Sequence, residues 1–530
     1  MGKTLEEGEV IKKLINFVKE NKSEVLILLG ILLIASFFRL YRISDYMTYL
    51  GDEGRDVIVV RRLLVYFDPI LIGPGTSIGN MYLGPLYYYL IAPSLWLAGY
   101  SPVGPSVLVA LVGVFTVFLV WKFGRELSGK VAGLIAAFFY AISPTVIIFS
   151  RSSWNPNVMP FFSLLSIYSV WKVYESRGAS REVGWWLIVL GISYAFCLQS
   201  HYLGLLLLPT FGVFLFIKYL KLKKEKLLKP FVKNSLISLI LFLFLMSPLV
   251  IFDARHGWRN FAAMKKFFTV RQETVSIRPW NAIPQIWPIF EKVNIRLLAG
   301  HNQPIGMVLS SVTVIFLIWT IFKFRKNYLL IPSAYWLLFS WFGFALLGLG
   351  LYKQEIYDHY YGFFFPAPFL LVGALAERLA NKQSLPLRGS GKRIVKILLF
   401  IGLFTLVVVN LVNSPLKYPP NQQLRRAKEV AQKISDESGG KEFNLAVIAE
   451  RNYEAGYQYF LEMWGKKVAK IDAQKPDTIT GQLFVVCEME KTKCDPTHSP
   501  KAEVANFGWS KVENEWTVFG TSLYRLVHTK

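Results

Sequence analysis

The chain has 530 residues, of which 53% are hydrophobic, 15% aromatic and only 18% charged, and its formal net charge is +24. Apolar residues fall in repeated blocks of about 17 to 22, the length that crosses a bilayer, which predicts a polytopic membrane protein and excludes a small soluble domain. The tail after Asn413 has 17 Lys and Arg against 15 Asp and Glu, so the positive surplus lies in the membrane part and indicates topology rather than nucleic-acid binding.

The N-terminal run Met1 to Lys22 is rich in Lys and Glu and lacks a short apolar core with a small-residue cleavage site. We therefore expect residues 1–23 to be an amphipathic segment on the cytoplasmic surface and not a cleaved signal peptide. A first span at 25–40 then leads outward to the adjacent carboxylates Asp52 and Glu53. Apolar residues recur at helical spacing after this pair, which predicts an interfacial helix.

Eleven membrane spans are predicted from apolar length and oriented by the enrichment of Lys and Arg in cytoplasmic loops. The apolar block at 82–99, broken by Pro85 and Pro93, is interpreted as an in-plane or re-entrant helix of the first outer loop. A full span there would place the seven lysines between Lys218 and Lys233 outside and invert the charge pattern. The spans are 25–40, 103–121, 131–149, 158–173, 185–198, 202–217, 236–252, 305–322, 329–351, 363–375 and 394–412, within a transmembrane catalytic domain at 24–412.

Residues 413–530 are predicted to form a small external α/β domain after a proline-containing linker. Short apolar runs at 444–449 and 483–487 alternate with helical patterns at 422–434 and 453–463. No glycine-rich phosphate loop is found in it. Cys487 and Cys494 are close enough in sequence to form a disulfide in an oxidising compartment, and zinc is disfavoured because no second ligand pair accompanies them.

Under this topology, ionisable and aromatic residues from five separate outer loops gather on one side of the membrane. In chain order they are Asp52, Glu53, Arg151, Trp154, Asn155, His201, Arg255, His256, Lys353, Asp358, His359 and Tyr360. A carboxylate can take the proton of an acceptor hydroxyl, while Lys, Arg and His stabilise a phosphate leaving group. The set therefore suits transfer of a sugar from a lipid-linked phosphate.

Each of these residues also has a structural interpretation. The acid pair can complement a helix dipole, and His201 can be a hydrogen-bonded structural residue. Arg255 and His256 can contact lipid headgroups, and Trp154 can be an interfacial aromatic.

The chain carries Asp-Glu-Gly-Arg from Asp52, Gly-Pro-Leu-Tyr-Tyr-Tyr from Gly84 and Gly-Arg-Glu-Leu from Gly124. It also has Ser150-Arg151 followed by Trp-Asn-Pro-Asn, and Tyr360 followed by Pro366. Over about residues 25 to 412, these motifs together resemble the GT-C membrane glycosyltransferases, above all the branch of protein O-mannosyltransferases and lipid A aminoarabinose transferases.

The resemblance implies a polytopic α-helical GT-C fold with about 11 transmembrane helices and juxtamembrane helices in the first outer loop. It implies Asp52 as the catalytic base or as a carboxylate that positions the acceptor, with Glu53 beside it, and Lys353, His359 and Tyr360 at the donor phosphate. Aminoarabinose transferases carry a His-Lys before paired prolines where this chain has Leu83-Gly84-Pro85, so Arg255 or Lys353 is expected to substitute. The second outer loop lacks the acidic residue common in relatives, which leaves a requirement for Mg²⁺ or Mn²⁺ open.

We predict a membrane glycosyltransferase that moves a sugar from a polyprenyl-phosphate donor to a hydroxyl of a lipid, glycan or protein acceptor at the outer face. Its partners would be these substrates and membrane lipids, with no nucleic acid. One alternative is a transporter or lipid-binding protein, which would bury charged residues midway along spans. Another is an oligosaccharide transferase that uses a lipid diphosphate.

Overall fold

The structure, a computed structural model, describes residues 12, 15–76, 81–269, 274–323, 333–380 and 390–529. The predicted N-terminal segment at 1–23 lies largely outside the described residues. The helices of the membrane part are α1 Lys22–Leu40, α2 Ile43–Tyr46, α3 Gly51–Tyr66, α4 Leu86–Leu97, α5 Val103–Ser128, α6 Lys130–Ile142, α7 Pro144–Phe149, α8 Met159–Glu175, α9 Arg181–Ser200, α10 Leu208–Lys224, α11 Leu228–Arg255, α12 Arg259–Thr269, α13 Ile283–Leu297, α14 Gln303–Lys323, α15 Ser333–Gly350, α16 Pro366–Ala380 and α17 Ser390–Val412.

Each of the eleven predicted spans coincides with one helix or with a helix broken in two. In the described part of the chain, seven helices are long and apolar enough to cross a membrane. An eighth is formed if the 3₁₀ helix Asp358–Phe364 and α16, which meet at a bend of 60°, act as one broken span. The number of single helices long enough to cross a membrane is lower than the eleven predicted spans for two reasons among others. The span predicted at 131–149 is divided into two helices at Ser143, before Pro144, and α8 has only 17 residues.

The apolar block at 82–99 contains α4, which has 12 residues. At a rise of about 1.5 Å per residue such a helix is roughly 18 Å long, well short of the ~30 Å hydrocarbon core. It packs between α3 and α5. The structure therefore places a short, non-spanning helix in the loop between α1 and α5, together with α3.

The C-terminal domain is a small α/β unit, as predicted. Its five strands are β1 Phe443–Ile448, β2 Val468–Ala469, β3 Gln482–Cys487, β4 Ser510–Val518 and β5 Thr521–His528, in the order β2-β1-β3-β5-β4. Strand β1 pairs in parallel with β2 on one side and with β3 on the other, and β5 pairs antiparallel with β3 and β4. Its helices are α18 Gln423–Glu437, α19 Ala455–Met463 and α20 Ala502–Phe507, and Cys487 forms a disulfide with Cys494.

The C-terminal domain packs directly on the loop that follows α1. Helix α19 lies against α3, and α18 lies against α2. The rings of Tyr49 and Phe460 are 5.9 Å apart at this contact, and both side chains are buried. The start of α3, which carries the acid pair, is therefore enclosed between the two parts of the chain.

Candidate active site

Asp52 stands in the first turn of α3 with one carboxylate oxygen fixed by two donors. Its Oδ1 accepts a hydrogen bond from Arg55 Nη1 at 2.8 Å and another from the Tyr453 hydroxyl at 2.9 Å. No described residue donates a hydrogen bond to Oδ2, and the side chain is 42% exposed. Asp52 is thus a partly exposed carboxylate whose Oδ1 is held in position.

Glu53 is turned back toward the chain that precedes the helix. Its Oε2 accepts the backbone N–H of Leu50 at 3.0 Å, the reciprocal bond of a capping box. Glu53 is only 5% exposed, and burial raises its pKa from 4.5 to about 7 even though the Leu50 bond lowers it. The two adjacent carboxylates therefore have different environments, one open and one enclosed.

A third carboxylate, Asp56, lies one turn further along α3 and is fully buried. Arg55 Nη2 donates to its Oδ1 at 2.8 Å, and the Tyr88 hydroxyl donates to the same oxygen at 3.1 Å. Burial raises the pKa of Asp56 to about 6, although Arg55 lowers it. Arg55 thus bridges the exposed and the buried carboxylate, which fixes its own position.

A cavity of about 210 Å³ opens at the acid pair. Its wall combines residues from the loop before α3, from the segment around α7 and from the C-terminal domain. They are Thr48, Leu50, Asp52, Glu53, Ile148, Phe149, Ser152, Trp154, Arg451 and Tyr453. Of these residues, Asp52, Glu53 and Trp154 were predicted from the sequence, whereas Arg451 and Tyr453 were not.

An aromatic cluster continues from the cavity wall toward two later loops. The ring of Trp154 meets that of His359 edge to face at 4.7 Å between centroids. The ring centroids of His359 and His201 are 6.2 Å apart, and those of His201 and Tyr360 are 5.3 Å apart. Four of the predicted site residues, from three loops far apart in sequence, are therefore in contact with one another beside the acid pair.

His201 is a neutral side chain within this cluster. Its Nδ1 accepts the backbone N–H of Leu203 at 3.2 Å, which assigns the proton to Nε2. Burial lowers its pKa to about 3. His201 can therefore donate an N–H bond to an anion but supplies no positive charge.

Asp358 and Lys353 occupy different positions, although the sequence groups them. Arg296 of α13 donates from Nε to both carboxylate oxygens of Asp358, at 2.9 and 2.8 Å, so this acid holds the loop to α13. Lys353 is exposed, and its backbone N–H donates a hydrogen bond to the backbone carbonyl oxygen of Thr274 at 2.9 Å. The ring of the preceding residue, Tyr352, lies 5.8 Å from that of Tyr360, so the backbone at Lys353 adjoins the aromatic cluster.

Arg151 and Asn155 have backbone partners. The buried Arg151 donates to the carbonyl oxygens of Phe38 at 3.0 Å and Tyr41 at 2.6 Å, which closes the C-terminal end of α1. Asn155 donates to the Ser200 carbonyl at 2.8 Å. Both side chains connect helices next to the cavity.

Arg255 and His256 are exposed at the end of α11. The His256 ring stacks on Phe252 with 4.0 Å between centroids. Asp253, in the same turn, accepts the backbone N–H groups of Asn260 and Phe261 and so caps α12. Neither Arg255 nor His256 lines the cavity at Asp52.

In the described part of the chain, no group of three or more His, Cys, Asp or Glu side chains is arranged to hold a metal ion. At the acid pair, Arg55 already supplies a positive charge to both Asp52 and Asp56. A divalent ion on the Asp52 carboxylate would have to share it with this guanidinium.

Comparisons with known proteins agree with this architecture. A family model described as dolichyl-phosphate-mannose-protein mannosyltransferase matches residues 83–252. ArnT from Cupriavidus metallidurans, solved bound to undecaprenyl phosphate, superposes with a TM-score of 0.56 at 12% identity, over 94% of this chain and 97% of that one. The chain has the GT-C fold of this ArnT structure.

The oligosaccharyltransferase AglB from Archaeoglobus fulgidus, solved with an inhibitory peptide and a dolichol-phosphate, also has this GT-C architecture. It superposes with a TM-score of 0.50 at 12% identity and 85% coverage of this chain. The chain spans only 64% of the length of AglB. No curated protein sequence matches the chain.

Within this GT-C fold, the residues missed by sequence reasoning fall into two kinds. Arg55 and Asp56 follow the acid pair closely in the sequence. They lie three and four residues after Asp52, a spacing that places all three side chains on one face of a helix. Asn452 and Tyr453 carry no comparable signal, because they lie about 400 residues away and no motif connects them to α3.

Proposed function

We propose that the chain is a glycosyltransferase that moves a sugar from a polyprenyl-phosphate donor to an acceptor hydroxyl at the outer face of the membrane. The observation that carries this proposal is the cavity at Asp52, where an exposed, oriented carboxylate faces Trp154 and adjoins the cluster of His201, His359 and Tyr360. Support for a lipid-linked donor comes from the GT-C fold shared with ArnT and AglB.

Asp52 acts as the general base in this proposal. Arg55 and Tyr453 hold Oδ1, so Oδ2 is the oxygen that accepts the proton of the acceptor hydroxyl. The acceptor oxygen forms a bond to the anomeric carbon while the bond from that carbon to the phosphate oxygen breaks. The electron pair of the broken bond leaves with the polyprenyl phosphate, and attack from the opposite face inverts the anomeric centre.

The donor phosphate is assigned to the aromatic cluster beside the cavity. His201 and His359 offer ring N–H groups and Tyr360 offers a hydroxyl, all of which can donate to phosphate oxygens. Lys353 adds positive charge at the edge of the cluster. Charge-assisted hydrogen bonds of this kind stabilise the phosphate most in the transition state, as its negative charge develops.

The test is release of polyprenyl phosphate by the purified full-length chain, incubated with a panel of polyprenyl-phosphate hexoses and pentoses. Asp52→Asn should lower the rate by about 10²- to 10⁴-fold, the usual contribution of a general base, with thermal stability unchanged. Asp45→Asn is the matched control, because Asp45 is an exposed carboxylate near α3 that pairs with Arg42 outside the cavity. Full activity of Asp52→Asn would overturn the assignment of the base.

The same assay separates two donor classes. Polyprenyl-monophosphate sugars should be consumed, and diphosphate-linked sugars should not. Turnover of the diphosphate carriers alone would instead identify a lipid-diphosphate-dependent transferase.

A further inference from the structure

Two glycines flank the acid pair, and the C-terminal domain covers both. A Cβ on Gly51 would lie 2.3 Å from the ring of Tyr453, and one on Gly54 would lie 2.3 Å from the backbone nitrogen of Gly456. Neither distance is sterically allowed, so this contact requires glycine at both positions. The first turn of α3 is therefore shaped to receive residues 453–456.

Asn452 completes the N-terminus of α3 from the other domain. The first N–H groups of a helix lack intrahelical partners, and the residue before this helix, Leu50, has no side-chain oxygen to accept them. Asn452 Oδ1 accepts the Gly51 N–H at 2.7 Å and the Tyr453 N–H at 2.9 Å. One amide oxygen thus joins the start of α3 to the segment that carries Tyr453.

Asn452 is itself held within the C-terminal domain. Its Nδ2 donates to Glu488 at 2.6 Å, and Glu488 also accepts hydrogen bonds from Arg426 and Tyr457. The glutamate follows β3 directly and lies within the loop that the Cys487–Cys494 disulfide closes. The contact at α3 therefore rests on the folded sheet rather than on a loose segment.

From this geometry we propose that Asn452 and Tyr453 are positioning residues for Asp52, so that the C-terminal domain forms part of the active site. The proposal rests on the glycosyltransferase function proposed above. Tyr453 fixes Oδ1 of Asp52 together with Arg55, and Asn452 fixes the turn of α3 that presents this carboxylate. The C-terminal domain thus determines which oxygen of Asp52 meets the acceptor.

The kinetic test compares two tyrosine hydroxyls that both cross between the domains. Tyr453 donates to Asp52, whereas Tyr459 donates to the backbone oxygen of Tyr100, away from the cavity. Tyr453→Phe should lower kcat about tenfold with KM for the donor unchanged, since the hydrogen bond that holds the charged Asp52 carboxylate in place is lost. Tyr459→Phe should keep the wild-type kcat. In an Asp52→Asn background, Tyr453→Phe should cause no further loss.

A second measurement, hydrogen–deuterium exchange, does not depend on turnover. Asn452→Ala should raise deuterium uptake in residues 49–55, because Gly51 loses its acceptor. Asn421→Ala is the control, since Asn421 also bridges the domains through the Tyr46 carbonyl but does not touch α3.

The two measurements separate the two proposals. Equal kcat in wild type and Tyr453→Phe, with transfer observed, would overturn the positioning role and leave the proposed function standing. Unchanged exchange in Asn452→Ala would overturn the anchoring of α3. A wild-type chain that transfers no sugar, but whose exchange at residues 49–55 responds to Asn452→Ala, would overturn the proposed function and support the anchoring.

Discussion

The hydroxyl of Tyr88 donates a hydrogen bond over 3.1 Å to the carboxylate of Asp56, which is completely buried. This bond ties α4 to α3 behind the cavity. Arg55 supplies the countercharge and reaches forward to Asp52 as well, with both contacts at 2.8 Å. The exposed carboxylate of the proposed active site is therefore supported by a buried charged group rather than by solvent.

Replacing Arg55 by methionine should destabilise the protein, because Asp56 would be left as a buried charge without its cation. Breaking such a pair costs on the order of 3 kcal/mol. Arg55→Met/Asp56→Asn should recover much of that loss, since the amide is neutral and still accepts from Tyr88. Denaturant titration of the detergent-solubilised variants measures the difference. Equal stability of the single and double variants would contradict this role of Arg55.

Glu53 should make stability depend on pH in one direction. Its pKa in the folded protein is about 7 against an ordinary value of 4.5, so the folded state binds the proton more tightly. The contribution of Glu53 to stability is therefore greatest at low pH and falls as the pH rises from about 4.5 through 7, by up to about 3 kcal/mol.

Glu53→Gln should remove the part of the pH dependence that is due to Glu53, because the neutral amide keeps an oxygen for the Leu50 N–H, and should leave the part that is due to the raised pKa of Asp56. At pH 5 the variant and the wild type should unfold at similar temperatures, and at pH 8 the variant should be the more stable. Asp45→Asn, at an exposed carboxylate, should keep the wild-type profile. Parallel profiles for Glu53→Gln and wild type would show that Glu53 does not carry the effect.

The positions of the helices could be predicted from sequence because apolar length and periodicity are local properties. Each of the eleven predicted spans coincides with one helix or with two consecutive helices. The residues around the acid pair form a helix, as predicted, and this helix begins at Gly51. The meeting of loops at Trp154, His201 and His359 followed from topology, since loops at one end of a bundle share a small area.

The partners of individual side chains could not be predicted in the same way. Asp358 and His359 are adjacent in sequence, yet Asp358 pairs with Arg296 of α13 while His359 packs on Trp154. Tertiary packing decides such choices, and spacing along the chain carries no information about them. The contact between Asp52 and Tyr453 of the C-terminal domain could not be predicted for the same reason.

One missed element did have a local signal. Strands β4 and β5 are joined by Phe519 and Gly520, both with positive φ, as in a two-residue hairpin turn. Alternating apolar residues lead into this turn, including Val512, Trp516 and Val518, and would have identified the hairpin.

Gly54→Ala should weaken the contact between the C-terminal domain and α3. The added Cβ meets the backbone of residues 455 and 456, which cannot rotate away as a side chain can. We expect a loss of about 1–3 kcal/mol and faster proteolysis within residues 413–530. Gly343→Ala is the matched control, a helical glycine of α15 with no atom within 4 Å of an added Cβ. Equal protease resistance of the two variants would contradict the tight contact.

Arg151→Lys should lower stability without changing KM for the donor. The sequence suggested a substrate-binding cation, but the guanidinium bridges the carbonyls of Phe38 and Tyr41 at the end of α1 and lies 4.8 Å from the ring centre of Tyr46. A lysine ammonium lacks the planar fork that reaches two separated oxygens, so at least one of the two partly buried carbonyls loses its donor. Such a loss costs about 1–3 kcal/mol. Arg177→Lys, at an exposed position, should be neutral. If Arg151→Lys instead raised the KM for the donor and kept the wild-type stability, Arg151 would be a substrate-binding residue.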